Sequence, residues 1–300
     1  MLLRSMPDLS PANTHYRAWF YSHWGRENCL ILGRSRDAVY DRFRQRLSIK
    51  MARGGRERYF IGGRTVAVDD DNYLILNDGQ TYGSVIRCER EVESFSIFFR
   101  PGLVEEIWGA MGVESEQVLE RQGPAIARAP EFQEHLSPHD TTVTPVLHFI
   151  RHHIRAGVDD EQWYEEQLQV LAVRMLAQQC RARTQALSVR CVKPSTRAEI
   201  HRRIALAAEF IHSSYERDIG LDQMGAAACM SVYHFMRLFR QVHGMTPMEF
   251  LYRKRVSAAQ RLLDTCELPV REIATRVGFN SRATFYRQWK RWKTTAGQKP

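Results

Sequence analysis

The stretch Val270-Arg271-Glu272-Ile273-Ala274-Thr275-Arg276-Val277-Gly278-Phe279, followed by Ser281, Phe285 and Arg287, decides the fold of the last third of the chain. Val270, Ile273, Ala274 and Val277 share one helical face. Gly278 stands where a left-handed residue stops a helix, and Ser281 is placed to N-cap the next. The same arrangement occurs earlier. Leu221, Met224, Gly225 and Ala228 precede their counterparts by 49 residues; after one inserted residue, Ser231, Phe235, Arg237, Phe239 and Arg240 precede Ser281, Phe285, Arg287, Trp289 and Lys290 by 50. Two copies of one helix, turn, helix unit are expected, at about 219–241 and 268–291, with Gly225 and Ala274 small where the paired helices cross.

The second helix of each copy is amphipathic. Phe235, Leu238 and Phe239 in the first copy, and Phe285 and Trp289 in the second, are expected to face inward. That leaves Val232, Tyr233, Met236 and Arg237, and Arg282, Ala283, Tyr286 and Arg287, as candidate readers of base edges. Arg240 and Lys290 are candidate phosphate contacts. An arginine on a helix that enters the major groove can pair bidentately with guanine, a contact worth ~1–3 kcal/mol of discrimination. A solvated basic face is the bland alternative for any single arginine, and phosphate contacts outnumber base contacts in known interfaces.

Charge segregation favours the nucleic-acid reading. The chain has 300 residues and a net charge of +9. Residues 197–300 hold 18 Lys and Arg against 9 Asp and Glu, whereas residues 1–196 hold 25 of each. Only the last third is expected to meet a polyanion. With 44% hydrophobic residues the chain can bury two ordinary cores. Neither a secretory segment nor an apolar run of membrane-spanning length is read, so a cytoplasmic setting with no membrane partner is expected. The scattered cysteines, Cys29, Cys88, Cys180, Cys191, Cys229 and Cys266, form no C-x-x-C and read as reduced thiols.

From about Cys29 to Pro101 short β-rich runs alternate with turns. Leu47 to Met51 has period two, Gly62-Gly63 separates Tyr59-Phe60-Ile61 from Thr65-Val66-Ala67-Val68, and Asp69-Asp70-Asp71 reads as a solvated turn before Tyr73-Leu74-Ile75-Leu76. A small barrel or sandwich is expected. After Gly102 the period changes: Leu103, Val104, Ile107, Trp108 and Met111 fit one helix. Thr144 to Arg181 reads as a helical pair broken near Gly157, able to cover the barrel or to form a dimer interface. Residues 183–196 lose periodicity and read as a linker. The resulting fold class is α+β, with residues 15–182 as one domain and 197–300 as a second, all-α domain.

The C-terminal residues resemble the AraC/XylS family of transcription regulators. The match runs over about Ile200 to Gln298 and rests on Gly244-Met245-Thr246-Pro247, Phe250-Leu251, Arg255-Val256, Ala259, Leu262-Leu263 and the 270–279 stretch. The resemblance implies seven helices, with two recognition helices entering successive major grooves. It also implies base reading by Tyr233, Met236, Arg237, Arg282, Ala283, Tyr286 and Arg287. Cys229 stands where the family commonly has glycine, and Trp289 where it has phenylalanine. The ending after Trp292 lacks the usual glycine, serine-proline and aromatic closing helix, so a short, frayed or absent final helix is expected. The N-terminal residues Gly54-Gly55, Gly62-Gly63-Arg64 and Phe98 to Val104 look similar to cupin-like sensor domains. That likeness implies a β-barrel with a small-molecule effector and homodimerisation. Double-stranded DNA and RNA polymerase, the latter as contact of an activator, complete the implied partners.

Catalysis is not expected. Metallocupin enzymes need clustered histidines, and none occurs between Cys29 and Pro101. The pairs His135/His139 and His148/His152 have i, i+4 spacing but lack a matching ligand set, so neither metal nor cofactor is expected. Two alternatives from other classes are a cupin-type enzyme with a DNA-binding appendage, which metal analysis tests, and an alkylation-repair protein, which would want an activated cysteine.

Overall fold

A computed structural model describes residues 1–111, 129–186, 194–265 and 268–296. The chain divides into two compact units, Met1–Gln185 and Ala186–Pro300. The first is built on a sheet and the second is helical.

In chain order the first unit contains β1 (Leu2–Leu3), α1 (Thr14–His23), β2 (Cys29–Arg44), β3 (Ser48–Arg53), β4 (Glu57–Ile61), β5 (Arg64–Val68), β6 (Asn72–Leu76), β7 (Thr81–Phe98), α2 (Leu103–Ala110), β8 (Leu136–Pro138), α3 (Thr144–Arg155) and α4 (Glu161–Ala186). The sheet runs β1-β2-β7-β3-β6-β8, and β4 branches from it, pairing with β7 and β5. The 18-residue β7 organises everything: one edge pairs with β2 along its length, while the other takes β3 against Glu93–Phe98 and β4 against Tyr82–Ile86. Ile61 pairs with Arg64 across Gly62 and Gly63, whose φ values of 52° and 81° are those of the expected two-residue hairpin turn.

Alternation along β3 sends side chains to two different surroundings, and both are buried. Ile49 and Met51 join Tyr73, Phe95 and Ile97 in a core with Leu147, Ile150, Leu168 and Met175 of α3 and α4. On the other side, Ala52 joins Tyr59, Val66, Leu74 and Tyr82. Lys50 points to that second side and is 2% exposed. Period two read from 47–51 therefore holds, but the polar member faces an interior rather than solvent.

Three N-terminal expectations are corrected. Asp69 is not solvated: it is 3% exposed, and its carboxylate accepts from Asn72 Nδ2 at 2.7 Å and from the Asp71 amide at 3.1 Å, which shapes the β5–β6 turn. His135 and His139 flank β8 and share no helix; the structure instead brings His139 to His148, ring centroids 5.7 Å apart. The segment read as a linker is partly helical, since α4 runs to Ala186, with residues 187–193 outside the described part. Buried charge is paired where it meets the helical layer. Glu93 accepts from Arg151 at 2.5 Å and from Arg34 at 3.1 Å. Burial alone would raise its carboxyl, but these guanidiniums outweigh burial and hold it below the ordinary carboxylate value.

The second unit contains α5 (Pro194–Ser214), α6 (Leu221–Ala227), α7 (Val232–His243), α8 (Pro247–Thr265), α9 (Val270–Arg276) and α10 (Arg282–Ala296). These are six helices among the described residues rather than the implied seven, because α10 continues through Trp292 to Ala296. Trp292 packs on Trp289 at 5.9 Å, so α10 is anchored as far as Trp292, and no separate closing helix follows among the described residues, in keeping with a short, frayed or absent final helix. Cys29, Cys88, Cys180 and Cys229 are not joined in disulfides; Cys191 and Cys266 lie outside the described residues. Burial pushes the Cys29 thiol up to about 12, which makes it inert near neutrality.

Candidate nucleic-acid interface

Each helix pair of the second unit is set by its turn. Between α6 and α7 the helices approach closely: a Cβ on Gly225 would lie 3.1 Å from the Met230 carbonyl oxygen. Cys229 sits in this turn with φ 51°, the left-handed region that glycine usually fills. Between α9 and α10 the same task falls to Gly278, with φ 90°. The Ser231 hydroxyl, expected as an N-cap, makes no cap hydrogen bond, and Ser281 Oγ accepts from the Thr284 amide only at 3.5 Å. Apolar anchoring outweighs capping here. Phe235, Leu238 and Phe239 are buried beneath α7, and Phe285 is buried beneath α10 with Trp289 against it.

The long α8 holds the two pairs in one core. It opens with a capping box, in which Glu249 accepts from the Thr246 amide at 2.9 Å and the Glu249 amide donates to Thr246 Oγ1 at 3.3 Å. Arg255 is 6% exposed and donates to the carbonyls of Tyr215 and Arg217, both at 2.8 Å. Thus α8 is tied to the chain leaving α5 immediately beside Gly278. Sequence reasoning gave Arg255 no role, although an arginine at a core-facing helical position among Leu251, Ala258 and Ala259 is a readable sign of buried carbonyls.

The outward residues fall where the helical period put them. Tyr233 is 82% exposed, and Met236, Arg237 and Arg240 are exposed beside it. On α10, Arg282, Ala283, Tyr286, Arg287 and Lys290 are all exposed. Val232 is the exception, half-buried at the start of α7. The guanidinium of Arg237 lies 3.5 Å from His234 Nδ1, and that of Arg287 lies 3.4 Å from Thr284 Oγ1. Each long contact engages one guanidinium nitrogen and leaves the other donors of that arginine available. Each helix therefore shows a face of free hydrogen-bond donors interleaved with a tyrosine, a chemistry suited to base edges and phosphates.

Residues 224–296 match the family model described as a helix-turn-helix domain. The HTH-type transcriptional regulator AlkR of Acinetobacter baylyi is 31% identical over 94 residues, 31% of this chain and 31% of that protein. The arabinose operon regulatory protein of Escherichia coli is 27% identical over 140 residues, 46% of this chain and 44% of that protein. Among solved structures, the DNA-binding domain of AdpA in complex with a target DNA is similar with 33% identity and a TM-score of 0.27, over 31% of this chain and 80% of that one. The C-terminal unit carries a helix-turn-helix domain similar to those of these transcription regulators. The matches span less than half the length of these two curated relatives, so they speak for this unit and not for the sheet-based one.

Proposed function

We propose that the chain is a sequence-specific DNA-binding transcription regulator, with the helical unit reading DNA and the sheet-based unit responding to a small-molecule effector. The observation that carries it is the pair of exposed arginine-bearing faces on α7 and α10, each backed by a buried aromatic anchor. In this reading α6–α7 and α9–α10 are two helix-turn-helix motifs. Tyr233, Met236, Arg237, Arg282, Ala283, Tyr286 and Arg287 read bases, Arg240 and Lys290 hold phosphates, and half-buried Val232 serves as a packing contact at the edge of the interface.

The strands of the first unit form a cupin-like barrel, a reading supported by the buried interior between the β4–β5 hairpin and strands β3, β6 and β7. Exposed Val170 and Val173 on α4, with Phe149 on α3, support a homodimer. DNA as partner places the chain in the cytoplasm, and contact with RNA polymerase rests on the resemblance alone. No helix among the described residues is long and apolar enough to cross a membrane.

The test is selection of bound sites from a random duplex pool with the full chain. The expected result is a defined motif, bound with an affinity that falls steeply as salt rises. Salt-sensitive binding without any enriched motif would refute sequence-specific regulation.

A further inference from the structure

We propose that the interior of the sheet-based unit is a binding site for a compact hydroxy-carboxylate of about four to six non-hydrogen atoms, its carboxylate held by Lys50 and its hydroxyl donating to Gln45. This rests on the effector reading above and names the ligand's chemistry.

A partly open cavity of about 60 Å³ lies between the strands and the N-terminal segment with α1, with Gln45, Lys50, Glu57, Tyr82 and Ser96 on its wall and Trp24 and Phe98 among its apolar lining. At ~10–15 Å³ for each water-sized occupant, that volume fixes the ligand size stated above. Two polar groups facing this space are orphaned. Gln45 is 6% exposed, and its Oε1 is buried without a hydrogen-bond partner. The Lys50 ammonium has no hydrogen-bond or ion-pair partner among the described residues. Its nearest company is aromatic: it lies 3.4 Å from the Phe98 ring centroid and 5.4 Å from that of Tyr82.

Glu57 does not fill the gap. Its carboxylate is engaged by the Ser94 hydroxyl at 2.6 Å and by the Tyr59 hydroxyl. An unpaired buried ammonium costs several kcal/mol, and an apolar residue of similar length would serve stability better at position 50. The cost is recovered when an anion enters. Burial pushes the Lys50 amine down to about 7, as expected for an ammonium that lacks an adjacent acceptor.

The two orphans ask for complementary things. Lys50 offers only donors, so it needs an acceptor, best a charged one. Gln45 Oε1 is an acceptor and needs a donor. A simple carboxylate satisfies the first and a simple alcohol the second; a short hydroxy acid satisfies both within the available volume.

The experiment is calorimetric titration of the full-length protein with glycolate, acetate and ethylene glycol. Saturable glycolate binding, at least tenfold tighter than either acetate or ethylene glycol, is the expected result. Lys50→Met should abolish it while leaving the thermal transition equal or higher, and Gln45→Leu should bring glycolate down to the level of acetate. Absence of glycolate binding by the folded wild type, or equal binding by Lys50→Met, overturns the proposal. DNA affinity measured with and without glycolate separates the two readings. Glycolate binding that leaves DNA affinity unchanged supports the site and refutes its effector role; a neutral molecule that alters DNA affinity while glycolate does not bind overturns the ligand and spares the effector reading.

Discussion

Substituting alanine at Gly278 and, separately, at Gly244 isolates what holds the second helix pair in place. Both glycines have positive φ, 90° and 69°, so a side chain at either incurs the left-handed cost of ~1–2 kcal/mol. They differ in surroundings. A Cβ at Gly244 meets nothing within 4 Å, whereas one at Gly278 lies 2.5 Å from the Tyr215 carbonyl oxygen, 2.9 Å from that of Glu216 and 3.0 Å from Arg255 Nε. Relief at Gly278 requires moving the backbone that Arg255 binds, which weakens at least one charged hydrogen bond worth ~1.5–3 kcal/mol. The sum is about 2.5–5 kcal/mol for Gly278→Ala against about 1–2 for Gly244→Ala. In a domain of this size each kcal/mol shifts Tm by ~4–8 °C. Scanning calorimetry of the full chain, with hydrogen exchange in α5 and α8 assigning the transition, should show Gly278→Ala falling at least twice as far. Equal losses in the two variants would refute the claim that steric closeness, rather than φ alone, fixes this turn.

Arg237→Ala and Arg287→Ala should each relax base preference at one position by ~1–3 kcal/mol, whereas Arg240→Ala or Lys290→Ala should weaken all sequences alike and flatten the salt slope; competition binding on single-base variants reads both. His243 is held low, at about 4 against an ordinary 6.5, first by burial and then by His201. Its neutral form is therefore the folded form. Full stability from this site is expected above about pH 6.5 and should be lost as pH falls from there through about 4, and His243→Phe should flatten that dependence in thermal melts. Glu93→Ala leaves Arg151, whose side chain is 14% exposed, without its carboxylate. A loss of ~3–5 kcal/mol in the sheet-based unit is expected by urea denaturation.

The helical unit was legible because its signals are local. The 49- and 50-residue offsets, the left-handed Gly278 and the 3.6-residue spacing of Phe235, Leu238 and Phe239 each refer to neighbours in the chain. Arg255 was opaque because its partners, Tyr215 and Arg217, lie 40 and 38 residues away. The sheet was legible in its turns, as at Gly62-Gly63, but not in its layers. Alternation says that Lys50 opposes Ile49 and Met51; only tertiary closure says that its side is enclosed. For the same reason Asp69 reads as a solvated acid until Asn72 and the β5–β6 turn surround it. His139 and His148 meet because the chain turns back between β8 and α3, a turn that the i, i+4 spacing within each pair did not show. Helix caps misled in part: Ser281 accepts from the Thr284 amide at 3.5 Å as expected, but Ser231 makes no cap hydrogen bond, and buried aromatic residues anchor both helices.

The breadth of β7's pairing has a consequence for synthesis. Every major strand ladder of the first unit, those of β2, β3 and β4, is completed by residues between Thr81 and Phe98. On a ribosome, the 16 residues of β2, and β3 and β4 after it, emerge before their common partner exists, each with an edge still unpaired. The helical unit has no comparable wait, because each of its turns closes on nearby chain. During translation the vulnerable interval thus falls in the first hundred residues, which is where chaperone protection matters most and where slowing synthesis just after Phe98 would do most good.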